Sequence, residues 1–288
     1  MKKIDIHLHL APEKDLKNAQ MFVSSAENMI PHLRDLEIEH GILQSSGEKN
    51  SLLPIGSNDD CRSIVRRFPK TYSWMCNLDD VPGDVYDRLR ACKEQGAVGV
   101  GELTINRRMD DPMIQEIFAV AEKLSLPVLF HMSPEVGYQY GIVDDAGLPL
   151  LEESLKKYPD LKFIGHSQPF WHEISGDAGA DLKARMAWGK GAVAPDGRLI
   201  HLFDTYPNLY GDLSANSGGC AIMRDESFGL EFLSRYADRL MFGSDMLNID
   251  MVFPLGKWME DMYQSGKLSK DTYAKIAYQN AAKLFGIQ

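Results

Sequence analysis

Cysteine is scarce in this sequence, and its occurrences are far apart. The four cysteines are Cys61, Cys76, Cys92 and Cys220, so no Cys-x-x-Cys pair is present. This spacing excludes a zinc ribbon and offers no disulfide framework. The pattern is typical of a reduced intracellular protein, and we therefore expect a cytoplasmic location.

Long apolar runs and glycine-rich nucleotide motifs are also missing. No stretch reaches the roughly 18 apolar residues that a transmembrane helix needs. The chain begins with Met-Lys-Lys and enters an alternating pattern at once, without the apolar segment of a secretory signal. Neither Gly-x-Gly-x-x-Gly nor a P-loop occurs. We expect no membrane span and no nucleotide cofactor.

Basic residues are outnumbered by acidic ones. The chain has 31 lysines and arginines against 41 aspartates and glutamates, which gives a formal net charge of −10. Such a surface repels phosphate backbones and anionic lipids, so we expect no nucleic-acid or membrane partner. A small-molecule substrate remains as the expected partner. The apolar faces of the predicted helices fit a homo-oligomer and helices packed on a barrel equally well.

Short strand-like runs alternate with amphipathic stretches of helical length. Helices are predicted at 25–38, 58–67, 83–95, 111–124 and 148–157. Eight strands are predicted at 4–10, 41–43, 72–77, 97–105, 127–131, 161–166, 209–213 and 240–243. Strand then helix, repeated, is the signature of parallel βα units.

The number of these units favours a closed barrel over an open sheet. Eight of them predict an α/β protein with the (β/α)8, or TIM, barrel fold. No linker interrupts the chain, so we expect residues 1–288 to form one domain. Residues 167–198 contain five glycines between Gly176 and Gly197 and are predicted to form a long loop above the barrel. A loop of this length usually covers or lines a binding site.

Two histidines alternate along the first strand. In Asp5-Ile6-His7-Leu8-His9, the imidazoles at positions 7 and 9 are two residues apart, so both are expected on one face. In a barrel strand, that face is the interior. Buried imidazoles cost free energy unless they are hydrogen-bonded or bind a metal. Asp5 is a candidate hydrogen-bond partner of one of these rings.

Four more ionisable residues end other predicted strands. They are Glu102, His131, His166 and Asp245, and each follows an apolar run. The carboxyl ends of barrel strands meet at one mouth, where barrel enzymes hold their active sites. The alternative is that each of these side chains has its own unrelated partner. Together with the two first-strand histidines, however, they predict a nitrogen and oxygen site for a divalent metal. Zinc is expected first, with manganese, iron or nickel as alternatives.

The order of these residues resembles the amidohydrolase superfamily of metal-dependent barrel enzymes. That order is His-x-His after strand one, an acidic residue after strand four, histidines after strands five and six, and aspartate after strand eight. Three segments, 208–214, 242–245 and 280–286, are most similar to the amidohydrolase-related subgroup, which includes lactone hydrolases and decarboxylases. Glu102, in Gly-Glu-Leu, resembles the glutamate of TatD-type enzymes instead.

The resemblance implies a ligand set and a reaction. His7, His9 and Asp245 would bind one metal, His131 and His166 a second, and Glu102 would bridge them. A metal-activated hydroxide would then cleave an amide, lactone or ester bond of a small polar substrate. Asp245 would carry the proton from the attacking water to the leaving group. The expected activity is therefore that of a metal-dependent hydrolase, with Asp245 and His166 as catalytic residues.

Two other functions remain open. With one metal held by His7, His9, His131 and Asp245, His166 becomes a free acid, base or carbonyl-polarising group. That arrangement implies a decarboxylase of an unsaturated or aromatic carboxylic acid. In the bridged arrangement Glu102 is a ligand, whereas otherwise it would pair with an arginine of the following loop. The third function is a non-catalytic, metal-stabilised barrel, although a structural zinc site is usually closed by four ligands.

Three loop residues are candidates for substrate binding. Arg107 follows Glu102 closely, and a guanidinium there would suit a carboxylate or phosphate of the substrate. Trp171 and His172 follow the strand that ends at His166 and are expected either to line the pocket or to pack within their loop.

Overall fold

Eight parallel strands form the centre of the protein. The computed structural model describes residues 2–49 and 56–287, and within these residues each predicted strand overlaps an observed one. The barrel strands are β1 Lys3–Leu8, β2 Ile38–Gln44, β3 Tyr72–Met75, β4 Val100–Leu103, β5 Val128–Ser133, β6 Phe163–His166, β7 Leu209–Asp212 and β8 Leu240–Met241. Outside the barrel, Leu16–Lys17 pairs with Phe22–Val23, and Ile142–Val143 pairs with β5.

Backbone hydrogen bonds join neighbouring strands around the centre. Strands β1, β2 and β3 form one parallel sheet, and β4 to β8 form another in the order β8-β7-β6-β5-β4. Between the two sheets, the Cys76 N–H donates to the Gly99 carbonyl at 2.9 Å. On the opposite side, the Ile6 N–H donates to Phe242 at 3.1 Å and the Asp245 N–H to His7 at 2.8 Å. These contacts give the neighbour order of a (β/α)8 barrel, as the sequence predicts.

Helices lie between the strands and complete the α/β order. In the described residues they are α1 Ala26–Asp35, α2 Asn58–Arg67, α3 Val85–Glu94, α4 Pro112–Lys123, α5 Pro149–Lys157, α6 Gln168–His172, α7 Leu182–Arg185, α8 Arg198–Thr205, α9 Ala215–Met223, α10 Glu226–Arg235, α11 Leu255–Gln264, α12 Lys270–Ala274 and α13 Asn280–Phe285. None of these helices combines the length and the apolar character that crossing a bilayer requires.

Local sequence signals explain where several helices begin. The Ser57 side chain accepts from the Asp60 N–H, and the Asp60 carboxylate accepts from the Ser57 N–H, which forms a capping box before α2. Asp111 caps α4 by accepting from the Met113 N–H, and Pro112 occupies the first helical position. These side chains satisfy backbone donors that have no partner within the helix. The first turns are thereby fixed by the sequence itself.

An apolar layer fills the barrel beneath the mouth. Leu129 and Ile164 lie two residues before His131 and His166, so each shares a face with the histidine that follows it. Both belong to a buried cluster that helix α13 contacts through Phe285. The cluster also includes Ile4, Ile6, Ile42, Met75, Met241 and Ala281. This packing leaves the polar side chains at the carboxyl end of the strands.

The segment predicted as a long loop is held firmly to its neighbours. Residues 167–198 contain the short helices α6 and α7, which the sequence did not predict. At the end of α7, the buried Arg185 donates to the Pro134 carbonyl and to the Asp144 carbonyl, both at 2.9 Å. The loop after β6 is thus anchored on the loop after β5.

A buried carboxylate beside this anchor makes stability depend on pH. The Asp144 side chain accepts from the N–H groups of Asp145, Leu150 and Leu151, at the start of α5. Burial raises its pKa to about 6 from the ordinary 3.8, although those three hydrogen bonds oppose the shift. The folded state therefore binds the proton more tightly than the unfolded state does. Its contribution to the free energy of unfolding should fall as pH rises from about 4 to 6, by at most about 3 kcal/mol.

Urea unfolding of the metal-free protein and of Asp144→Asn tests this dependence. The difference in unfolding free energy, protein minus variant, should decrease between pH 4 and pH 6 and stay level above pH 7. A difference that rises over that range would show that folding lowers the pKa of Asp144 instead.

Candidate metal centre

The six residues predicted to bind metal converge at the carboxyl end of the barrel. His7 lies on β1, Glu102 on β4, His131 on β5 and His166 at the end of β6. All four are buried. His9 lies one residue beyond β1, and Asp245 lies in the loop after β8. Parallel strands bring these positions to one face of the barrel.

His7, His9 and Asp245 form the first group of donor atoms. The two Nε2 atoms of His7 and His9 are 3.1 Å apart, and Asp245 Oδ1 is 3.4 Å from each of them. Glu102 Oε2 is 3.6 Å from both nitrogens. Ligand atoms about 2.1 Å from a tetrahedral ion lie roughly 3.4 Å apart. The spacing of these four atoms therefore fits one small divalent cation.

Glu102, His131 and His166 form a second group beside the first. Glu102 Oε1 is 2.7 Å from His131 Nδ1 and 3.7 Å from His166 Nε2. The buried His131 Nε2 has no hydrogen-bond partner within residues 2–49 and 56–287. One oxygen of Glu102 thus faces the first group while the other faces the second. This is the placement expected for a carboxylate shared by two cations.

The buried charges depend on one another. Burial alone would raise the pKa of Glu102, but His131 and His7 hold that pKa well below its usual range. Burial likewise opposes ionisation of Asp245, yet its pKa is lowered by His7, His9 and His166. Burial opposes the charged form of His7 as well, but Asp245 and Glu102 raise its pKa well above the usual value. The carboxylates are therefore ionised at neutral pH, as metal ligands must be.

Asp245 differs from Glu102 in backbone conformation and exposure. Its φ of 60° lies in the left-handed region, which costs a residue with a side chain about 1–2 kcal/mol. The hydrogen bond from its N–H to His7 holds this conformation, and aspartate is among the residues that tolerate it best. Its side chain is 27% exposed, against 6% for Glu102. Asp245 is therefore the carboxylate of the group that solvent reaches most easily.

A seventh ionisable residue belongs to the site, and the sequence did not single it out. Asp212, at the end of β7, is fully buried, and its Oδ2 is 2.7 Å from His7 Nδ1 and 3.1 Å from His166 Nδ1. The only sequence signals were its position near the end of the strand predicted at 209–213 and its place in the 208–214 segment that carries the family resemblance. Asp5, the predicted partner of a histidine ring, instead accepts from the His7 backbone N–H and from Ser244. Asp212 takes the place predicted for Asp5.

The three predicted substrate-binding residues each contact another part of the structure. Trp171 is buried and packs on Phe170, and its indole N–H donates to the Asp212 carbonyl at 3.0 Å. His172 Nε2 is 2.9 Å from the Gly179 carbonyl of its own loop. Arg107 is occupied by ion pairs with Asp80 at 2.7 Å and Asp111 at 3.1 Å. These contacts tie the three side chains to neighbouring segments, and their part in substrate binding stays a prediction.

Tyr140 is an aromatic side chain at the mouth. Its ring centroid is 4.5 Å from that of His131, and the residue is 40% exposed. It follows β5 on the loop that Arg185 anchors. A half-exposed aromatic ring against a candidate ligand leaves one face for a bound molecule.

Known proteins share this architecture at low sequence identity. The fold is similar to that of 2,6-dihydroxybenzoate decarboxylase from Rhizobium, with a TM-score of 0.62, 16% identity and coverage of 100% of this chain and 99% of that chain. It is similar to a probable 2-pyrone-4,6-dicarboxylic acid hydrolase from Acinetobacter baumannii with citric acid bound, with a TM-score of 0.60, 15% identity and coverage of 99% of this chain and 100% of that chain. It is also similar to a dihydroxybenzoic acid decarboxylase from Polaromonas sp. JS666 with bound manganese and the inhibitor 2-nitroresorcinol. That match has a TM-score of 0.58, 16% identity and coverage of 99% of this chain and 97% of that chain.

At these identities the three structures establish the fold alone. No curated protein matches the sequence. The family model described as Amidohydrolase, by contrast, matches residues 4–287, from the first barrel strand to the residue after helix α13 and its terminal glycine. That match covers every strand that contributes to the candidate centre, and the chain belongs to the amidohydrolase family.

Proposed function

We propose that the protein is a metal-dependent hydrolase that cleaves an amide, lactone or ester bond of a small polar substrate. The observation that carries this proposal is the position of Glu102. Its two oxygens face separate groups of imidazole nitrogens, 3.6 Å from His7 and His9 on one side and 2.7 Å from His131 on the other. A single cation would leave one of these groups without a function.

The donor atoms fit divalent metals. His7, His9 and Asp245 would hold one ion, His131 and His166 a second, and Glu102 both. Imidazole and carboxylate donors suit zinc, and manganese, iron and nickel accept similar sets. His131 has one nitrogen, Nδ1, 2.7 Å from Glu102, and its other nitrogen, Nε2, is buried without a partner among the described residues, so the ring has a nitrogen to offer a bound ion. Bound there, divalent ions supply a Lewis acid for a carbonyl oxygen and lower the pKa of water toward ~7.

Asp245 is the residue best placed to move a proton. Its Oδ1 faces His7 and His9, its Oδ2 is 3.8 Å from His166 Nε2, and the side chain is partly exposed. The carboxylate accepts a proton from the attacking water and returns it to the departing nitrogen or oxygen. His166 is buried, and through its Nε2, 3.7 Å from Glu102 Oε1, it would help to hold the ion that polarises the substrate carbonyl.

A decarboxylase is the second candidate function. Two of the structural neighbours are decarboxylases of dihydroxybenzoic acids. In that reaction His166 would be free of metal and would act on the substrate as an acid or a base. The arrangement predicts that His131 completes a single site with His7, His9 and Asp245. The 2.7 Å contact between His131 Nδ1 and Glu102 supports the assignment of His131 to the second group, and with it the hydrolase.

An assay of both reactions on one preparation distinguishes the two candidates. Protein reconstituted with zinc, and separately with manganese, is incubated with a panel of lactones, amides and esters and with a panel of aromatic carboxylic acids. The hydrolase is expected to release one carboxylic acid per bond cleaved. The pH-stat follows the proton released from lactones and esters, whereas amide cleavage is followed by the amine product, which takes up that proton. Release of carbon dioxide from an aromatic acid, without hydrolysis of any ester or amide, would establish the decarboxylase instead.

A further inference from the structure

One carboxylate contacts the far nitrogens of two candidate ligands. Asp212 Oδ2 is 2.7 Å from His7 Nδ1 and 3.1 Å from His166 Nδ1, and it accepts from the Ser214 hydroxyl at 2.7 Å. Because that hydroxyl donates to Asp212, its lone pairs face the rings, and His166 Nδ1 is 3.0 Å from Ser214 Oγ. An ionised carboxylate can only accept hydrogen bonds. Both imidazoles must therefore carry their proton on Nδ1.

This choice of nitrogen determines what faces the centre. In the neutral, metal-binding form of the rings, the proton on Nδ1 leaves Nε2 of His7 and of His166 bare, and these are the atoms that lie 3.4 Å and 3.8 Å from Asp245. Imidazole binds a metal through an unprotonated nitrogen, and the hydrogen bond of the other nitrogen sets the ring orientation. Asp212 touches neither the first nor the second group of donor atoms around Glu102. It acts through the two histidines.

A glycine makes this contact possible across an intervening strand. In the barrel order, β8 lies between β7, which carries Asp212, and β1, which carries His7. Gly243, two residues after the end of β8, lies between Asp212 and His7. A Cβ atom there would lie 2.6 Å from Asp212 Oδ1, 3.0 Å from Ser214 Cβ and 3.3 Å from His7 Cβ. The first of these distances is shorter than any real contact, so a side chain would push the carboxylate away.

We propose that Asp212 is a positioning residue that orients His7 and His166 together for metal binding, and that Gly243 admits its carboxylate. The proposal rests on the proposed metal-dependent function, because it assigns a role toward the metal. It adds that one carboxylate, Asp212, contacts a histidine of each group through the Nδ1 atoms, whereas Glu102 faces the Nε2 atoms of the same two histidines. Trp171 belongs to this arrangement, since its N–H holds the Asp212 backbone.

The first test measures zinc affinity and the bound ring nitrogen, neither of which requires a substrate. Competition with a chromogenic chelator should show that Asp212→Asn binds zinc roughly ten- to a hundredfold more weakly than the natural protein. Long-range ¹H–¹⁵N spectra of the zinc-loaded natural protein should show His7 and His166 protonated at Nδ1. Zinc bound through Nδ1 of either ring would overturn the proposal without any variant.

Two matched controls separate positioning from loss of stability. Asp144→Asn removes another fully buried carboxylate, one that is bonded to backbone N–H groups of the α5 start and to none of the candidate ligands, and should leave zinc affinity within about twofold. Gly243→Ala removes no polar group, yet should weaken zinc binding at least tenfold by displacing Asp212. Gly219→Ala is its control, because a Cβ there meets only Met223 Cε at 3.5 Å and Leu255 Cβ at 3.7 Å.

The outcomes distinguish this inference from the proposed function. If the natural protein binds no divalent metal, the proposed function fails and this inference fails with it. If the natural protein binds zinc and both Asp212→Asn and Gly243→Ala bind it equally well, only the inference fails. Thermal unfolding of each zinc-free variant verifies that the protein is folded. Weakened binding in a folded variant, with both controls unaffected, supports the positioning role.

Discussion

Replacing Asp245 with asparagine is expected to lower kcat for hydrolysis by roughly 10³-fold. Asparagine has nearly the same shape as aspartate and tolerates the left-handed backbone conformation, with φ at 60°, that position 245 adopts. The change therefore leaves the backbone in place and removes the negative charge. An amide oxygen cannot take a proton from water near neutral pH, so the step assigned to Asp245 is lost.

The measurement compares kcat at saturating substrate after both proteins have been loaded with metal to the same measured content. That normalisation matters because Asp245 Oδ1 also lies 3.4 Å from the nitrogens of His7 and His9. Asp250→Asn, an exposed position on the same loop, serves as the control and should retain kcat within about twofold. A folded Asp245→Asn protein with full metal content and a kcat within tenfold of normal would remove Asp245 from the proton-transfer step.

The barrel strands were predictable because their signal is local. Each is a short apolar run between helical segments, and β2 and β6 overlap the predicted runs at 41–43 and 161–166. The helices up to α5 were predicted within a few residues, because capping residues such as Ser57 and Asp111 mark their first turns. The small hairpin formed by Leu16–Lys17 and Phe22–Val23 was missed, because two-residue strands have no periodicity to detect.

The convergence of the six candidate ligands was predictable for a different reason. Topology alone brings the carboxyl ends of parallel strands together, so knowing which residue ends each strand was sufficient. Asp212 also ends a strand, but its role depends on a hydrogen bond to a residue 205 positions away. Nothing near it in sequence indicates that contact. The role of Gly243 could not be predicted from the sequence either, because glycine is required there by the closeness of three atoms that belong to other segments.

The direction of side chains that follow the strands could not be predicted from the sequence. Trp171 lies on α6, the short helix after β6, and this place in the sequence suggested a pocket wall. The indole instead packs on Phe170 and donates to the Asp212 carbonyl. Arg107 is near the mouth as well, and Asp80, on a different loop, pairs with its guanidinium. Loop position predicts proximity to the site, whereas the partner that a side chain selects depends on segments distant in sequence.

Glu102→Gln is expected to reduce bound metal from about two ions per chain to about one. Glutamine keeps one oxygen but replaces the other with an amide NH2 group, which cannot ligate a cation. The first group still has the carboxylate of Asp245, whereas the second, His131 and His166, has no other carboxylate within its set. The second ion should therefore be lost first. Elemental mass spectrometry on protein reconstituted with zinc and then dialysed gives the ratio of metal to chain.

Glu135→Gln is the matched control, because Glu135 is exposed on the loop after β5 and its loss should leave the metal content unchanged. One ion in the natural protein, unchanged in Glu102→Gln, would contradict the bridged centre. His166 would then be free to act on the substrate, and the decarboxylase would become the better account of this site. Stoichiometry decides between the reactions because it reports whether His166 is occupied: as a ligand it holds an ion, and as a free imidazole it can exchange a proton with a carbon acid.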